Sequence, residues 1–277
     1  MQSGALFGNG ASHVGFSYLV NDAQTDQSLV QGIAVFGASG NAVAGIGTDP
    51  RTSGGGGSSS GGGSTTSSFT GTRDGIVYYT FLDGSLASGF GGSADLENGE
   101  LTKFTSILGT IDHASADIVE AGDLGDVAWA RWTNGTVESR TILGDADTAL
   151  DATDGYHVMA GNPTIDLPAG TIAYELIGGT SATDNRGSAP GTLTGDLAID
   201  FATLGVGYDL SMEVGGMGWA VSTTGGAADP SSSQFAISVG SGGWTFGGTF
   251  ASTTGTVNAT GGACAGTCRQ ADSGRTH

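Results

Sequence analysis

Lysine occurs once, at Lys103, and all cations together number eight against 27 carboxylates, for a formal net charge of −19. Nucleic-acid binding is disfavoured, because it needs clustered cations to replace the phosphate counterions. An anionic membrane surface repels such a chain for the same reason. Asp outnumbers Glu, and Asp prefers turns to helices, so part of the acid surplus is fold chemistry; a saline habitat is the other reading. Proline is also scarce, at five residues, whereas glycine supplies 53 of 277. Glycine without proline excludes collagen and implies tight turns and bulges between short strands. No apolar run reaches the length of a membrane-spanning helix, about 18 residues or more. The opening MQSGALFGNG lacks the charged start and apolar centre of a signal peptide.

Cysteine occurs twice, as Cys264 and Cys268 in CAGTC. Without a second pair or a nearby histidine the spacing gives little support to a zinc site. A disulfide closing a small turn is favoured over free thiols, and so short a loop would add only about 2 kcal/mol by the chain-entropy model.

What is present is a succession of alternating apolar runs. HVGFSYLV (13–20) and LVQGIAVFGA (29–38), joined by a polar connection, predict a hairpin. GGGGSSSGGGSTTSS (54–68) has the composition of a flexible linker or long loop. No lysine or helical pattern follows it, so it is not a phosphate-cradling loop. GIVYYTFL (75–82) and SLASGFGGSADL flank Asp83-Gly84, a strong hairpin signal, and a second turn is expected at Glu97 to Gly99 before ELTKFTSILGTI. The acidic, glycine-poor segment 112–126 is expected to hold a short helical turn and a boundary. Beyond it come VAWARWTNG, an Asp-rich loop, GYHVMAGNPTIDLPAGTIAYELIGGT, and a meander in which Leu193, Leu197, Ile199 and Phe201 show one-faced alternation. The reading is all-β: residues 1–125 form an N-terminal β-hairpin region, and 126–277 an antiparallel β-barrel.

VAWARW, YHVMAGNPTIDLPAGTIAYELIGGT, LAIDF and CAGTC, in that order and spacing, resemble the C-terminal β-barrel of transferrin-binding-protein-like bacterial surface proteins, a barrel also attached to some proteins with a FecR domain. The pattern covers about 126–268 and rests on Trp129, Arg131, Trp132, His157, Gly161, Pro163, Pro168, Gly170, Ala173, Tyr174 and Gly179. It implies about eight antiparallel strands and display at a bacterial surface or in the periplasm. The sequence shows no FecR domain, and the polar RQADSGRTH after Cys268 cannot supply a final strand. The barrel is therefore expected to be incomplete, with an edge along Val127 to Thr133 that pairs with an N-terminal strand such as Gly15 to Val20, pairs with another copy of the chain, or stays bare, the first being favoured.

Trp129, Arg131, Trp132, His157 and Glu175 are the candidate structural or binding residues. Arg131, set between two tryptophans, should be partly buried, with Glu175 as its carboxylate partner. His157 and Met159 share a strand face and could ligate haem iron, although a histidine beside Tyr156 more often serves the sheet itself. Asp145, Asp147, Asp151 and Asp154 crowd one segment and invite Ca²⁺, but Ala149 and Leu150 break the EF-hand spacing, so a solvated turn is favoured. Asn134 and Asn258 begin glycosylation sequons, which arise by chance in a chain this rich in threonine. With no nucleophile elbow and no HExxH, no catalytic residue is assigned. The expected function is a noncatalytic, extracytoplasmic binding or accessory barrel whose partner is a protein or small ligand. The alternative is a structural protein that self-associates by β-strand addition.

Overall fold

The computed structural model describes residues 2–22, 28–39, 69–82, 85–142, 144–223, 226–230, 236–240, 243–248 and 257–260. The Gly/Ser stretch 54–68, Asp83-Gly84, Cys264 and Cys268 lie outside the described residues.

Three strands open the chain: β1 (Gln2–Phe7), β2 (His13–Asp22) and β3 (Ser28–Ala38). Nine follow: β4 (Gly71–Leu82), β5 (Ser85–Glu97), β6 (Glu100–Ser106), β7 (Gly109–Asp112), β8 (Asp117–Asp123), β9 (Val127–Thr133), β10 (Gly135–Thr141), β11 (Gly144–Leu150) and β12 (Tyr156–Gly161). The rest are β13 (Thr171–Gly179), β14 (Thr183–Asp184), β15 (Thr192–Asp200), β16 (Gly205–Val214), β17 (Met217–Ser222), β18 (Ala236–Gly240), β19 (Gly243–Gly248) and β20 (Val257–Thr260). The fold is all-β and antiparallel, and a 3-10 turn at Gly226–Ala228 is the one helical element among the described residues.

Alternation explains the strands. In β16, Val206, Tyr208, Leu210, Met212 and Val214 are buried while Asp209, Ser211 and Glu213 are exposed, the period of two that a half-buried strand requires. The turn at Asn98-Gly99 has both residues at positive φ, 53° and 81°, as a type I′ two-residue hairpin connection demands. β4 and β5, the runs on either side of Asp83-Gly84, pair antiparallel out to Leu82↔Ser85.

The strands divide into two sheets. The first runs β18-β19-β1-β2-β3-β13-β15-β16-β17-β20, with β14 added to β3; the second runs β11-β10-β7-β6-β5-β4-β12-β9-β8. The second is built from one contiguous stretch, β4 to β12, inserted between β3 and β13, which pair with each other through Tyr174↔Ala38. The sheets therefore do not follow a division at 125/126. β8 pairs with β9 across that point, and β12 pairs with β4.

Each sheet curls around its own core. Phe16 on β2 meets Tyr208 on β16, ring centroids 6.0 Å apart, although three strands lie between them in the sheet. In the second sheet Phe104 on β6 meets Trp132 on β9 at 6.0 Å in the same manner. Neither sheet closes into a barrel among the described residues, in keeping with the incomplete barrel expected, and the strands form two open, curled sheets. A third apolar layer joins them: Ala5, Phe7, Ile33 and Val35 of the first sheet pack on Val127, Trp129 and Met159 of the second. Burial of the larger side chains in that layer contributes roughly 10 kcal/mol as an upper bound.

β9 is buried at every position because each of its faces meets a core. Its edges are also covered, by β12 on one side and β8 on the other. The edge is thus filled from the N-terminal side of the chain, but by β8 and not by β2, which carries Gly15 to Val20 and belongs to the other sheet. The covering strand β8 lies within the segment expected to hold a short helical turn. Ile118 and Val119 are β-branched, and register with Trp132 through Ala128 makes the segment extended.

Candidate functional site

Two of the ionisable side chains singled out in the sequence, Arg131 and His157, meet at one place, the joint between the sheets. Strand alternation puts Trp129 and Arg131 on the face of β9 that looks toward the first sheet, and His157 and Met159 on the matching face of β12. Trp132 points the opposite way, into the second sheet's own core. There its indole N–H donates to the Leu101 carbonyl at 2.9 Å, and its ring stacks on Tyr156 with centroids 5.5 Å apart.

Trp129 fits because two glycines make room. A Cβ on Gly122, its cross-strand neighbour on β8, would lie 2.2 Å from the indole, and so would one on Gly178 of β13. The ring is clamped between backbone of both sheets.

Arg131 is 6% exposed. Its Nη2 donates to Glu120 Oε1 at 3.0 Å and its Nη1 to the Asp154 carbonyl at 3.2 Å. The carboxylate partner is thus Glu120, not Glu175. Glu175 alternates outward from the first sheet, opposite Gly37 and Asp196, and is exposed. Glu120 also reaches across the joint, where its Oε2 accepts from the Ser181 N–H at 2.6 Å. A second pair, unforeseen in the sequence, joins Arg73 to Asp123 at 2.6 Å, with the Arg73 guanidinium 4.9 Å from the Phe69 ring centroid. Both carboxylates come from β8. The acidic segment between the hairpins and the Trp-rich run supplies the counter-charges for buried Arg131 and for part-buried Arg73.

His157 is fully buried. Its Nδ1 lies 2.7 Å from the Thr180 hydroxyl and its Nε2 2.8 Å from the Thr183 hydroxyl. Thr180 also accepts from the Ile33 N–H, and Gln31 Nε2 donates to the Gly155 carbonyl. Burial, reinforced by the Arg131 charge, lowers the His157 pKa to about 3, so the ring is neutral at physiological pH. Burial also pushes the Tyr18 hydroxyl upward, with Glu120 adding to the effect. The short segment Thr180 to Thr183 therefore holds Glu120 through a backbone N–H and His157 through two hydroxyls. This is a polar clasp beside the apolar layer.

Haem ligation would require His157 to release a threonine and Met159 to leave the apolar layer. The Asp-rich stretch is no cage either. Asp145 and Asp147 lie on the edge strand β11, where Asp147 binds Arg140, while Asp154 accepts from the Asp151 N–H in the following turn. Among the described residues no three His, Cys, Asp or Glu side chains gather as metal ligands would. A shallow depression elsewhere is lined by Val30, Asp184, Arg186, Met217 and Trp219. Asp184 is engaged there by the Arg186 and Ser188 N–H groups.

No family model, curated protein or solved structure matches this chain.

Proposed function

We propose that this protein is a noncatalytic binding or accessory protein of a bacterial surface or periplasm, of the transferrin-binding-protein-like type. One observation carries the reading. Among the residues that bear the resemblance, Trp129, Arg131 and His157 meet at the joint between the sheets, and the two ionisable ones are spent on holding it. Gly161 and Pro163 belong to the same seam: Gly161 pairs with Val127, and Pro163 bridges to Phe7 of the first sheet. Such a motif specifies a scaffold, and its acidic exterior suits a partner met outside the cytoplasm.

Polymerisation by strand addition is the second reading. The edges of the second sheet oppose it, since β11 carries Asp145 and Asp147 and β8 is bulged between Ile118 and Glu120. Fractionation of source cells, followed by native mass spectrometry of the purified chain, tests the proposal. It expects recovery from the surface or periplasmic fraction as a discrete species. Recovery with the cytosol overturns the localisation, and a ladder of multiples of the chain mass favours the polymer.

A further inference from the structure

Two hairpins of the second sheet end alike. β6 and β7 meet at Ser106↔Gly109, and β10 and β11 at Thr141↔Gly144, so each connection is two residues long. So tight a connection favours residues such as Asn-Gly, which this chain uses at Asn98-Gly99. Here it reads instead Ser106-Ile107-Leu108-Gly109 and Thr141-Ile142-Leu143-Gly144. The local geometry repeats with the letters. The hydroxyls of Ser106 and Thr141 reach the carbonyls of Gly109 and Gly144 at 3.5 and 3.0 Å, and the two glycines have φ of 139° and 133°.

The tips also lie side by side, since the Ile142 N–H donates to the Leu108 carbonyl at 2.9 Å. Ile107 is 91% exposed, Ile142 73% and Leu108 47%. One exposed aliphatic side chain would need no explanation. The same tetrapeptide pattern on two adjoining tips, each setting aliphatic residues where the turn favours polar ones, does need one.

We propose that Ile107, Leu108 and Ile142 on these adjoining tips are an interfacial anchor that dips into the surface of a zwitterionic lipid bilayer. These side chains stand exposed at the ends of two hairpins, a position that enters a fluid surface more readily than it encloses a ligand. Directly behind them stand neutral hydroxyl residues, Thr105, Ser106, Thr110 and Thr141, suited to the headgroup zone. The nearest cation, Arg140, is held by Glu138 at 3.0 Å and by Asp147, and Lys103 lies 3.4 Å from Asp112. Over β6, β7, β10 and β11 the carboxylates Glu100, Asp112, Glu138, Asp145 and Asp147 outnumber Lys103 and Arg140. That surplus repels anionic lipid and equally a second acidic copy of this chain. The proposal stands apart from the functional reading above, because it rests on different residues.

The test is sedimentation of the full chain with phosphatidylcholine vesicles. Binding is expected, weakened when phosphatidylglycerol is added at low salt, and reduced at least about tenfold by the double variant Ile107→Ser/Ile142→Ser. Melting temperature should be unchanged in that variant, whose altered side chains stand in solvent. Ile165→Ser removes an aliphatic residue of similar exposure, 78%, that belongs to neither tip, and should leave binding unaltered. Absence of binding by the unaltered chain overturns the proposal and leaves the tips to a protein partner. Undiminished binding by the double variant, or an equal loss in Ile165→Ser, overturns it as well.

Discussion

Mild acid should loosen this protein through a single histidine. His157 is neutral in the folded chain, with a pKa of about 3 against an ordinary value of 6.5. Between those values the unfolded chain binds a proton that the folded chain refuses. The associated stability is therefore fully present above pH 6.5 and is lost as pH falls from 6.5 toward about 3. Linkage gives a slope of about 1.4 kcal/mol per pH unit in that window, hence about 2 kcal/mol lost by pH 5. For a chain of this size such a loss lowers Tm by roughly 4 to 8 °C. Carboxylates add their own acid dependence, so the informative quantity is a difference. Thermal melts followed by circular dichroism from pH 8 to pH 5 should be recorded for the unaltered chain and for His157→Gln. The variant starts from a lower Tm because it disturbs the hydroxyl contacts, but its Tm should fall less with acid, by the histidine's share. Parallel curves would refute the assignment of a neutral, buried imidazole at the joint.

The clasp and the clamp make further predictions. Gly178→Ala places a Cβ 2.2 Å from Trp129, and because the ring is also backed by Gly122 the expected cost is about 1 to 3 kcal/mol in urea unfolding. A stability unchanged within error would show that the ring has room to move. Glu120→Ala leaves the Arg131 guanidinium buried without its carboxylate and should cost about 3 to 5 kcal/mol. Glu175→Ala removes an exposed charge and should stay within about 0.5 kcal/mol. Equal effects from the two would contradict the pairing described.

Much of the strand content was legible because alternation is local. β16 announces itself by Val206, Tyr208, Leu210 and Met212, and the β2–β3 hairpin by two apolar runs around a polar turn. β11 was hidden, since GDADTAL has the composition of a loop and forms an edge strand whose exposed side chains leave no apolar signal. β8 was hidden for another reason. Glu120 and Asp123 read as solvated acids until Arg131 and Arg73 are brought to them, and Arg73 lies far away in sequence. The choice of Glu175 failed in the same way, because a strand's neighbours are set by topology rather than by proximity along the chain. Nor does any local pattern show that β3 and β13 pair, with a whole second sheet between them. For the joint, alternation did place Trp129 with Arg131 and His157 with Met159. That Thr180 and Thr183 occupy both ring nitrogens follows only from the packing of one sheet on the other.

Differential scanning calorimetry tests most directly the claim that a buried seam makes one body of two sheets. β3 and β13 flank the inserted stretch, and Trp129, Glu120 and His157 tie that stretch to them. The account predicts a single transition, with calorimetric and van't Hoff enthalpies in agreement. Two resolved transitions, the stretch from β4 to β12 melting apart from the rest, would contradict it.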